Sequence, residues 1–341
     1  MKGMAIIKVC DVLKSEPLTL MDFDIPKIDE NEILIKISTC GICHTELDEI
    51  EGRTKPLFYP MIPGHQVVGK VAKKGINVKR FVEGDRVGVG WIFSACGKCE
   101  YCKNGLENLC NEFKATGRDS FGGYAEYMKI DEKYAIFLPD TFTDEEAAPL
   151  FCAGAIGYRS LKLTNIKDKM RLGLVGFGAS AHIVLKLVKF LYPNTEIYVF
   201  ARSKNEREFA LNLGAKWSGD IDEKSPELLN AVIDTTPVWK PVVESLKNLT
   251  PNGRLIINAI RKEDSDKDYL LNINYERDLW LEKEIKSVAN VTLKDIADFL
   301  DLASKADIKP VYQIYELTEA NIALRELKEG KIRGAKVLKI V

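Results

Sequence analysis

Four cysteines lie close together near the end of the first third of the chain. Two, two and seven residues separate Cys96, Cys99, Cys102 and Cys110. Four thiols at this spacing can close on one tetrahedral Zn²⁺ and leave no open coordination position, which describes a structural metal site. A disulfide framework is the alternative, but oxidised pairs are disfavoured in a chain that otherwise has the composition of a cytosolic protein. The spacing therefore predicts a structural zinc site.

A second set of possible ligands is spread along the chain. It comprises Cys43 in Cys43-His44-Thr45, His65 after Gly64, and Cys152. Spacing alone cannot join these residues, and His65 taken by itself is more typical of a hydrogen-bonded core histidine. The chain has only three histidines, however, and two of them stand beside these thiols and glycines.

Two cysteines and one histidine would leave the fourth position of a zinc ion open for water or an alcohol oxygen. Bound zinc lowers the pKa of water from about 15.7 to about 7. An alcohol oxygen should respond similarly, and the resulting alkoxide readily releases hydride from its carbon. These three residues therefore form a candidate catalytic zinc site.

A glycine-rich segment follows an apolar run. Gly176-x-Gly178-Ala179-Ser180-Ala181 comes after a predicted strand at 170–175, opens a predicted helix at about 179–191 and precedes a second strand at 196–200. This is the context required of a dinucleotide-binding fingerprint, because small residues let the backbone approach a pyrophosphate at a helix N-terminus. A tight turn without a ligand is the alternative.

The second strand ends in Ala201-Arg202-Ser203-Lys204, where an NAD-specific site would place a carboxylate for the ribose hydroxyls. A basic and hydroxyl-bearing cluster suits a 2′-phosphate, so the segment favours NADP(H) over NAD(H). A solvated loop is the alternative, and for Lys204 it is the favoured interpretation.

The elements that must position these residues change in character along the chain. The first 150 residues contain short strands, such as 33–37 and 67–71, cut by glycine and proline, and Gly122–Tyr127 is predicted as a turn that feeds a further strand. Strands and helices then alternate, which predicts a parallel, doubly wound sheet. Thr143 and Glu146 have capping-box spacing and predict a helix running toward Cys152.

The predicted fold class is therefore α/β, with two domains. A β-rich, zinc-bearing domain comprises residues 1–153 and 291–341, and a Rossmann dinucleotide-binding domain comprises residues 154–290. We expect the tail, including a strand at 335–341, to return to the first domain.

Composition limits the partners. The net charge of −1 and the pI of about 6.4 give no general attraction to nucleic acid or to anionic membranes. Nothing resembles a signal peptide or a membrane-spanning segment. Cys10 and Cys40 remain outside the two metal groups and are expected to be free thiols in a reducing, cytoplasmic environment.

Several motifs together resemble one known family. They are Gly41-Ile42-Cys43-His44-Thr45, Gly64-His65, Gly84-Asp85-Arg86-Val87, the four-cysteine segment, Ala148-Pro149-Leu150-Phe151-Cys152-Ala153-Gly154 and the glycine motif. Over essentially its whole length the chain resembles the zinc-dependent alcohol dehydrogenases of the medium-chain dehydrogenase/reductase superfamily, in their cinnamyl-alcohol-dehydrogenase-like branch.

The resemblance implies a GroES-like catalytic domain and a cleft between the domains. It implies Cys43, His65 and Cys152 as catalytic zinc ligands and Thr45 as the hydroxyl that takes the substrate proton. It also places His44 and Arg333 by the cofactor pyrophosphate, puts Trp91 and Ile92 in the substrate pocket, and implies a homodimer or homotetramer.

Two positions depart from the family pattern. Gln66 replaces the glutamate that usually follows the Gly-His pair near the zinc, so any role in zinc-ligand exchange is in doubt. Asp48 replaces a histidine that passes the proton outward in many members; it is either a relay or a surface charge. Cys40 matches no ligand position, and His182 is expected to serve packing.

The expected activity is interconversion of primary or secondary alcohols with aldehydes or ketones by hydride transfer to or from NAD(P). A zinc polyol or amino-alcohol dehydrogenase is one alternative. A non-catalytic nucleotide-binding protein with a relic metal site is another. The sequence does not name the alcohol.

Overall fold

The computed structural model describes residues 1–331 and 333–340. Ile332, in the Gly330–Gly334 segment, and Val341, at the end of the last predicted strand, lie outside the described residues. The strands are β1 (Lys2–Ala5), β2 (Thr19–Asp22), β3 (Glu32–Ile42), β4 (Val67–Lys74), β5 (Arg86–Val89), β6 (Ile92–Ser94), β7 (Lys114–Ala115), β8 (Tyr127–Asp131), β9 (Ala135–Phe137), β10 (Arg171–Val175), β11 (Glu196–Phe200), β12 (Trp217–Gly219), β13 (Leu229–Asp234), β14 (Leu249–Ile257), β15 (Glu284–Ser287), β16 (Tyr312–Glu316) and β17 (Ala335–Lys339).

The helices follow the same alternation. The α-helices are α1 (His44–Ile50), α2 (Glu100–Lys103), α3 (Asp144–Ala147), α4 (Ala153–Thr164), α5 (Ala179–Leu191), α6 (Lys204–Asn212), α7 (Lys240–Lys247), α8 (Leu293–Lys305) and α9 (Ala320–Lys328). No helix among the described residues is long and apolar enough to cross a membrane.

Backbone contacts group the chain into two compact units. The first contains Met1–Ala155 and Val291–Val341. Its main described sheet has the order β16-β17-β3-β4-β5-β9, and β8 also pairs with β3. The long strand β3 pairs antiparallel with β4, β8 and β17 and thereby ties the C-terminal segment to the N-terminal one. Its inward residues, including Ile33, Ile35 and Ile37, are fully buried in the core.

The second unit contains Ile156–Asn290. Its described sheet has the order β12-β11-β10-β13-β14-β15, and every adjacent pair is parallel. The central strands read as continuous apolar runs because helices on both faces bury them. The strand order reverses between β10 and β13, and this reversal is the topological switch point at which doubly wound sheets bind ligands.

One local expectation agrees with the structure and one needs correction. Gly122–Tyr127 was expected to be a turn that feeds a strand, and β8 begins at Tyr127. A side chain at Gly122 or Gly123 would collide with the backbone at Gly64 or the thiol of Cys40, so these glycines serve close packing. The helix capped by Thr143 ends at Ala147, and a 3₁₀ turn at Ala148–Phe151 separates it from α4. That turn leaves Cys152 at a non-helical position.

Candidate metal and cofactor sites

Three elements bring Cys43, His65 and Cys152 together in the first unit. Cys43 is the N-cap of α1 directly after β3, His65 precedes β4, and Cys152 follows the 3₁₀ turn before α4. One ligand atom from each residue lies within 4.8 Å of the others. The His65 Nε2 atom is 3.2 Å from the Cys152 sulfur. Residues that spacing could not connect thus form one compact donor set.

Glu46 orients this donor set, and the sequence interpretation missed it. Its Oε2 atom accepts a hydrogen bond from the Cys43 backbone N–H at 2.7 Å, and its Oε1 atom is 2.7 Å from His65 Nδ1. Both side chains are buried. A carboxylate at Nδ1 holds the proton there and leaves the Nε2 lone pair for a metal. The spacing of Glu46, three residues after the N-cap, was the available signal.

The Cys43 and Cys152 thiols shift each other's pKa in opposite directions. A hydrogen bond from Cys152 lowers the pKa of Cys43 well below its usual value, with help from the neighbouring His65. The same bond and burial raise the pKa of Cys152 well above it. Without a cation, two adjacent thiolates repel, whereas a divalent ion would stabilise both. The donor set of two sulfurs and one imidazole nitrogen fits zinc with one position open.

Thr45 and Asp48 also lie on α1, before and after Glu46 in the sequence. Thr45 is almost fully buried, and its hydroxyl oxygen lies 3.5 Å from the Cys43 sulfur. Asp48 is also buried, and its carboxylate pairs with the guanidinium of Arg53. Its backbone oxygen accepts hydrogen bonds from Arg53 and Thr54. Asp48 is therefore an ion-paired carboxylate and not the solvated surface charge that the sequence left open.

Trp91 packs against His65, and Ile92 and Gln66 each follow one of these two residues in sequence. The Trp91 ring meets the His65 ring edge to face, with centroids 4.9 Å apart. The Arg118 guanidinium lies over the Trp91 ring, 5.6 Å from its centroid. Ile92 is buried at the start of β6. Gln66 is buried too, and a Cβ on Gly41 would lie 2.7 Å from its side-chain oxygen. Gln66 packs closely against the backbone that leads into Cys43.

Cys96, Cys99, Cys102 and Cys110 form the second group, with sulfurs within 4.8 Å of one another. All eight cysteines of the chain are free thiols. The N–H of Cys99 points at the Cys96 sulfur at 3.3 Å, and the N–H of Cys102 points at the Cys99 sulfur at 3.5 Å. The N–H groups of Lys98 and Cys99 lower the pKa of Cys96 to about 6, while burial first, and then the neighbouring thiols, raise that of Cys102 to about 12. In the part of the chain that the structure describes, the group consists of these four sulfurs alone, which fits a closed zinc site.

The glycine motif forms the β10–α5 turn of the second unit. Gly176 has a φ of +76°, which favours glycine, and a Cβ there would lie 2.7 Å from Thr235 Oγ1. A Cβ at Gly178, the N-cap of α5, would meet no atom within 4 Å, so the space in front of the helix is open. Ala179 and Ser180 open the helix, and the buried Ser180 hydroxyl makes no hydrogen bond with the described residues. Open space and free N–H groups at a helix N-terminus fit a pyrophosphate.

His182 lies one turn further along α5. Its Nδ1 atom is 3.0 Å from the Gly178 backbone oxygen, and burial lowers its pKa to about 4. A neutral, buried imidazole at this position agrees with the expected packing role.

The end of β11 differs in detail from the expectation. Ala201 is buried and Arg202 is exposed, and the Arg202 side chain makes no hydrogen bond or ion pair with the described residues. Ser203 caps α6, and its hydroxyl donates to the Glu206 carboxylate at 3.0 Å. The capping interaction therefore already occupies Ser203. His44 and Arg333, assigned to the cofactor by resemblance, are both exposed residues of the first unit.

Comparison with known proteins identifies the family. Residues 29–140 match the alcohol dehydrogenase GroES-like domain. The chain is 39% identical to the probable alcohol dehydrogenase AdhA of Mycobacterium tuberculosis over 95% of this chain and 93% of the relative. It is 30% identical to a probable cinnamyl alcohol dehydrogenase of Populus deltoides, covering 89% of this chain and 86% of that one.

The fold matches a solved structure of the same kind. The CAD of Helicobacter pylori, complexed with NADP(H), superposes with a TM-score of 0.86 at 28% identity, covering 99% of this chain and 97% of the other. With the two cysteine-based donor sets and the parallel switch-point sheet, these likenesses confirm the predicted family and fold class. The chain is an enzyme and belongs to the zinc-dependent alcohol dehydrogenases of the medium-chain dehydrogenase/reductase superfamily.

Proposed function

We propose that the enzyme binds two zinc ions and oxidises primary or secondary alcohols, or reduces the corresponding aldehydes and ketones, at the Cys43–His65–Cys152 group. The observation that carries this proposal is the contact of 2.7 Å between Glu46 and His65 Nδ1. It presents Nε2 toward two sulfurs and leaves room for a fourth ligand. A zinc ion held there would act as a Lewis acid on the substrate oxygen.

The residues around the group would handle the proton and the geometry. The Thr45 hydroxyl, next to the Cys43 sulfur, would accept the proton of the alcohol oxygen. Glu46 would keep the Nδ1 proton of His65 in place throughout turnover. Trp91, packed on His65, would exclude water and form one wall of the substrate pocket. NAD(P) would exchange the hydride, and the protein would orient it.

Metal analysis separates this proposal from a relic site. We expect two zinc ions per purified chain and oxidation of alcohols with formation of reduced nicotinamide. One zinc ion, together with nucleotide binding but no turnover of any alcohol or aldehyde, would instead favour the non-catalytic alternative.

For the substrate we propose an alcohol with an extended apolar or aromatic group. Relatives named cinnamyl alcohol dehydrogenases and the Trp91 side chain support this choice. A panel of cinnamyl, benzyl and short aliphatic alcohols, polyols and amino alcohols tests it. Higher kcat/KM for a polyol or an amino alcohol than for cinnamyl alcohol would favour the corresponding alternative.

For the cofactor we propose a preference for NADP(H). No carboxylate occurs at 201–204, and the exposed Arg202 guanidinium is free to bind a phosphate bidentately. Ser203 contributes less than the sequence suggested, because Glu206 holds its hydroxyl. A charged hydrogen bond contributes about 1.5–3 kcal/mol, so Arg202→Ala should reduce the NADPH preference about 10–100-fold.

The measurement is kcat/KM for both cofactors in the wild type, in Arg202→Ala and in the control Lys204→Ala. Lys204 is exposed and lies 3.7 Å from Glu208 on its own helix. Equal use of both cofactors, unchanged by Arg202→Ala, would refute the proposed preference.

We further propose a homodimer or homotetramer in the cytoplasm, where a reducing environment keeps the eight cysteines out of disulfides. The edge strand β15 is exposed along its whole length. Large apolar side chains in the segment that precedes it in sequence are also exposed, namely Leu271, Tyr275, Trp280 and Leu281. Light scattering should therefore give at least twice the mass of the chain, and Trp280→Arg should reduce it; a monomeric wild type would contradict this.

A further inference from the structure

A buried ion pair lies at the carboxyl edge of the sheet in the second unit. Asp234 is the last residue of β13, and Lys262 follows β14 in the next loop. The ammonium contacts the Asp234 carboxylate, and the side chains are 6% and 0% exposed. Lys262 Nζ also donates to the backbone oxygens of Thr236 at 2.8 Å and Val238 at 3.0 Å. The ammonium thus directs one donor at the Asp234 carboxylate and two at the backbone of the short loop that follows β13.

The carboxylate secures the same loop from the other side. Asp234 Oδ1 accepts hydrogen bonds from the Thr236 N–H at 3.0 Å and the Thr236 hydroxyl at 2.7 Å. Two backbone hydrogen bonds also hold this segment. The Asn258 N–H donates to the backbone oxygen of Asp234 at 2.7 Å, and the Glu263 N–H donates to the backbone oxygen of Pro237 at 2.6 Å. Residues 235–238 are therefore fixed by both their strand and the loop after β14.

This loop lies at the switch point. Strand order reverses between β10 and β13, and a dinucleotide binds across the crevice formed there, with one mononucleotide on each half of the sheet. The glycine turn after β10 would take the pyrophosphate. Thr235 is in near contact with it, since a Cβ on Gly176 would lie 2.7 Å from Thr235 Oγ1. The other half of the sheet, which begins with β13, must then receive the nicotinamide.

Stability alone does not explain the pair. Taking two charges out of water costs free energy that their attraction often fails to recover, so a buried ion pair is weak evidence of a stabilising role. The helix that follows does not need it either. Asp266 accepts hydrogen bonds from the backbone N–H groups of Trp239 and Lys240 and satisfies the start of α7. What the pair alone supplies is a fixed direction for the carbonyls of Thr236 and Val238.

We propose that Asp234 and Lys262 are positioning residues for the nicotinamide half of the cofactor. By binding the carbonyls of residues 236 and 238 they set the backbone of the loop that faces the nicotinamide. A carboxamide is both donor and acceptor, so it is recognised by backbone groups whose directions are fixed in advance. The inference rests on the proposed function, because it requires a nicotinamide dinucleotide at the switch point.

The test compares binding of the whole cofactor with binding of its adenine half. Calorimetry would measure NADP⁺ against 2′-phospho-ADP-ribose, and NAD⁺ against ADP-ribose, in the zinc-loaded wild type and in the double variant Asp234→Asn/Lys262→Met. Removing both charges avoids leaving one buried charge alone, so the double variant should fold. Misplacement of a reacting group by about 1 Å lowers the reaction rate about 10²-fold. We expect nicotinamide-dependent binding to weaken about 10–100-fold, with kcat also reduced and binding of the adenine half unchanged.

A matched control and a milder variant complete the design. Lys216→Met removes an ion pair with Glu196 at the opposite edge of the same sheet and should leave both ligands unaffected. Thr236→Val removes one hydrogen bond to Asp234 and should shift the binding ratio in the same direction but less.

Equal weakening of both ligands in the double variant, or wild-type binding of both, would overturn the inference. If the double variant does not fold, an unchanged ratio in Thr236→Val overturns it instead. A wild type that binds neither dinucleotide would refute the proposed function itself.

Discussion

The two cysteine-based donor sets of the first unit are built in opposite ways. Cys96, Cys99, Cys102 and Cys110 come from one short segment, are mostly half-exposed, and receive hydrogen bonds from their own backbone N–H groups. Cys43, His65 and Cys152 come from three distant segments, and around them lie the buried carboxyl groups of Glu46 and Glu49. The first set is a local loop that a metal would close, whereas the second is assembled by the whole domain.

This difference in construction matches the difference between a structural and a catalytic zinc site. A closed site contributes its binding free energy to folding, because no preformed site exists in the unfolded chain. An open site must be held in shape without the metal, and here β3, β4 and the 3₁₀ turn before α4 already do so. Loss of metal from the open site should therefore reduce activity, whereas loss of metal from the closed site should reduce stability.

The largest expected effect is loss of activity in Cys43→Ser. Zinc supplies several kcal/mol of charge stabilisation at a reacting oxygen, so kcat/KM should fall about 10³-fold or more. One zinc ion should be lost, while the melting temperature changes by no more than a few degrees. Kinetics, elemental analysis and calorimetry measure these quantities. Cys10→Ser, a thiol outside both groups, is the control, and wild-type turnover with two zinc ions in Cys43→Ser would refute the assignment.

The converse experiment is Cys99→Ser. Removing one of four ligands from a closed site should release the metal and lower the melting temperature by about 10 °C, because each kcal/mol corresponds to about 2–4 °C in a domain of this size. The other zinc ion should stay bound, with kcat/KM near the wild-type value at low temperature. Comparable activity loss in Cys99→Ser and Cys43→Ser would erase the proposed division of roles.

How well each region could be predicted follows from the same distinction. The strand–glycine–helix unit from β10 to β11 was predicted almost to the residue, because its apolar runs and glycines act locally. The four-cysteine group was evident from its spacing for the same reason. Cys43, His65 and Cys152 were grouped from their residue types and the placement of the few histidines, and the family resemblance assigned them to one zinc, since nothing local links them.

What the sequence could not show depends on long-range packing. Glu46 had the spacing of a capping residue, but its contact with His65 exists only because β3 and the segment before β4 are neighbours. Asp234 and Lys262 are separated by a helix and a strand. The turn at Gly122 and Gly123 was predicted from its composition, but the close approach of these glycines to Gly64 and Cys40 depends on the packing of distant segments.

The next prediction concerns the residue that orients the open site. Glu46→Gln keeps a hydrogen-bonding side chain but removes the charge that makes His65 a stronger ligand. Such partners typically alter metal affinity or activity by about 10–100-fold. Competition with a chelator should show weaker binding of one zinc ion and no change in the four-cysteine ion. Glu51→Gln, in an ion pair with Lys328, is the control; unchanged affinity in Glu46→Gln would contradict the orienting role.

A smaller effect is expected for Gln66→Glu, which restores the usual residue of the family. Gln66 is buried against Gly41, so a carboxylate there would lose hydration. We expect kcat/KM to change by about 10-fold or less, with two zinc ions retained. Measured turnover and metal content decide this, and complete loss of one zinc ion would show that Gln66 is essential to the site.

The smallest effect should be a pH-dependent gain in stability in Glu49→Gln. Both oxygens of Glu49 are buried without a hydrogen bond to the described residues, and burial, followed by the nearby Glu46, raises its pKa well above 4.5. In the unfolded chain the same group ionises near pH 4.5. Between the two pKa values the folded state holds more protons, so Glu49 lowers stability increasingly as the pH rises.

Glu49→Gln removes this penalty. Its melting temperature should match the wild type near pH 4.5 and exceed it progressively toward pH 8, by about 2–4 °C for each kcal/mol relieved. Scanning calorimetry across this range measures the difference, with the exposed Glu83→Gln as control. Among the described residues, the four-cysteine group carries no such buried carboxyl. The effect would therefore measure the free-energy cost of assembling a metal site inside a domain. A melting-temperature difference between Glu49→Gln and the wild type that stays constant with pH would contradict the prediction, because it would mean that Glu49 is ionised in the folded protein.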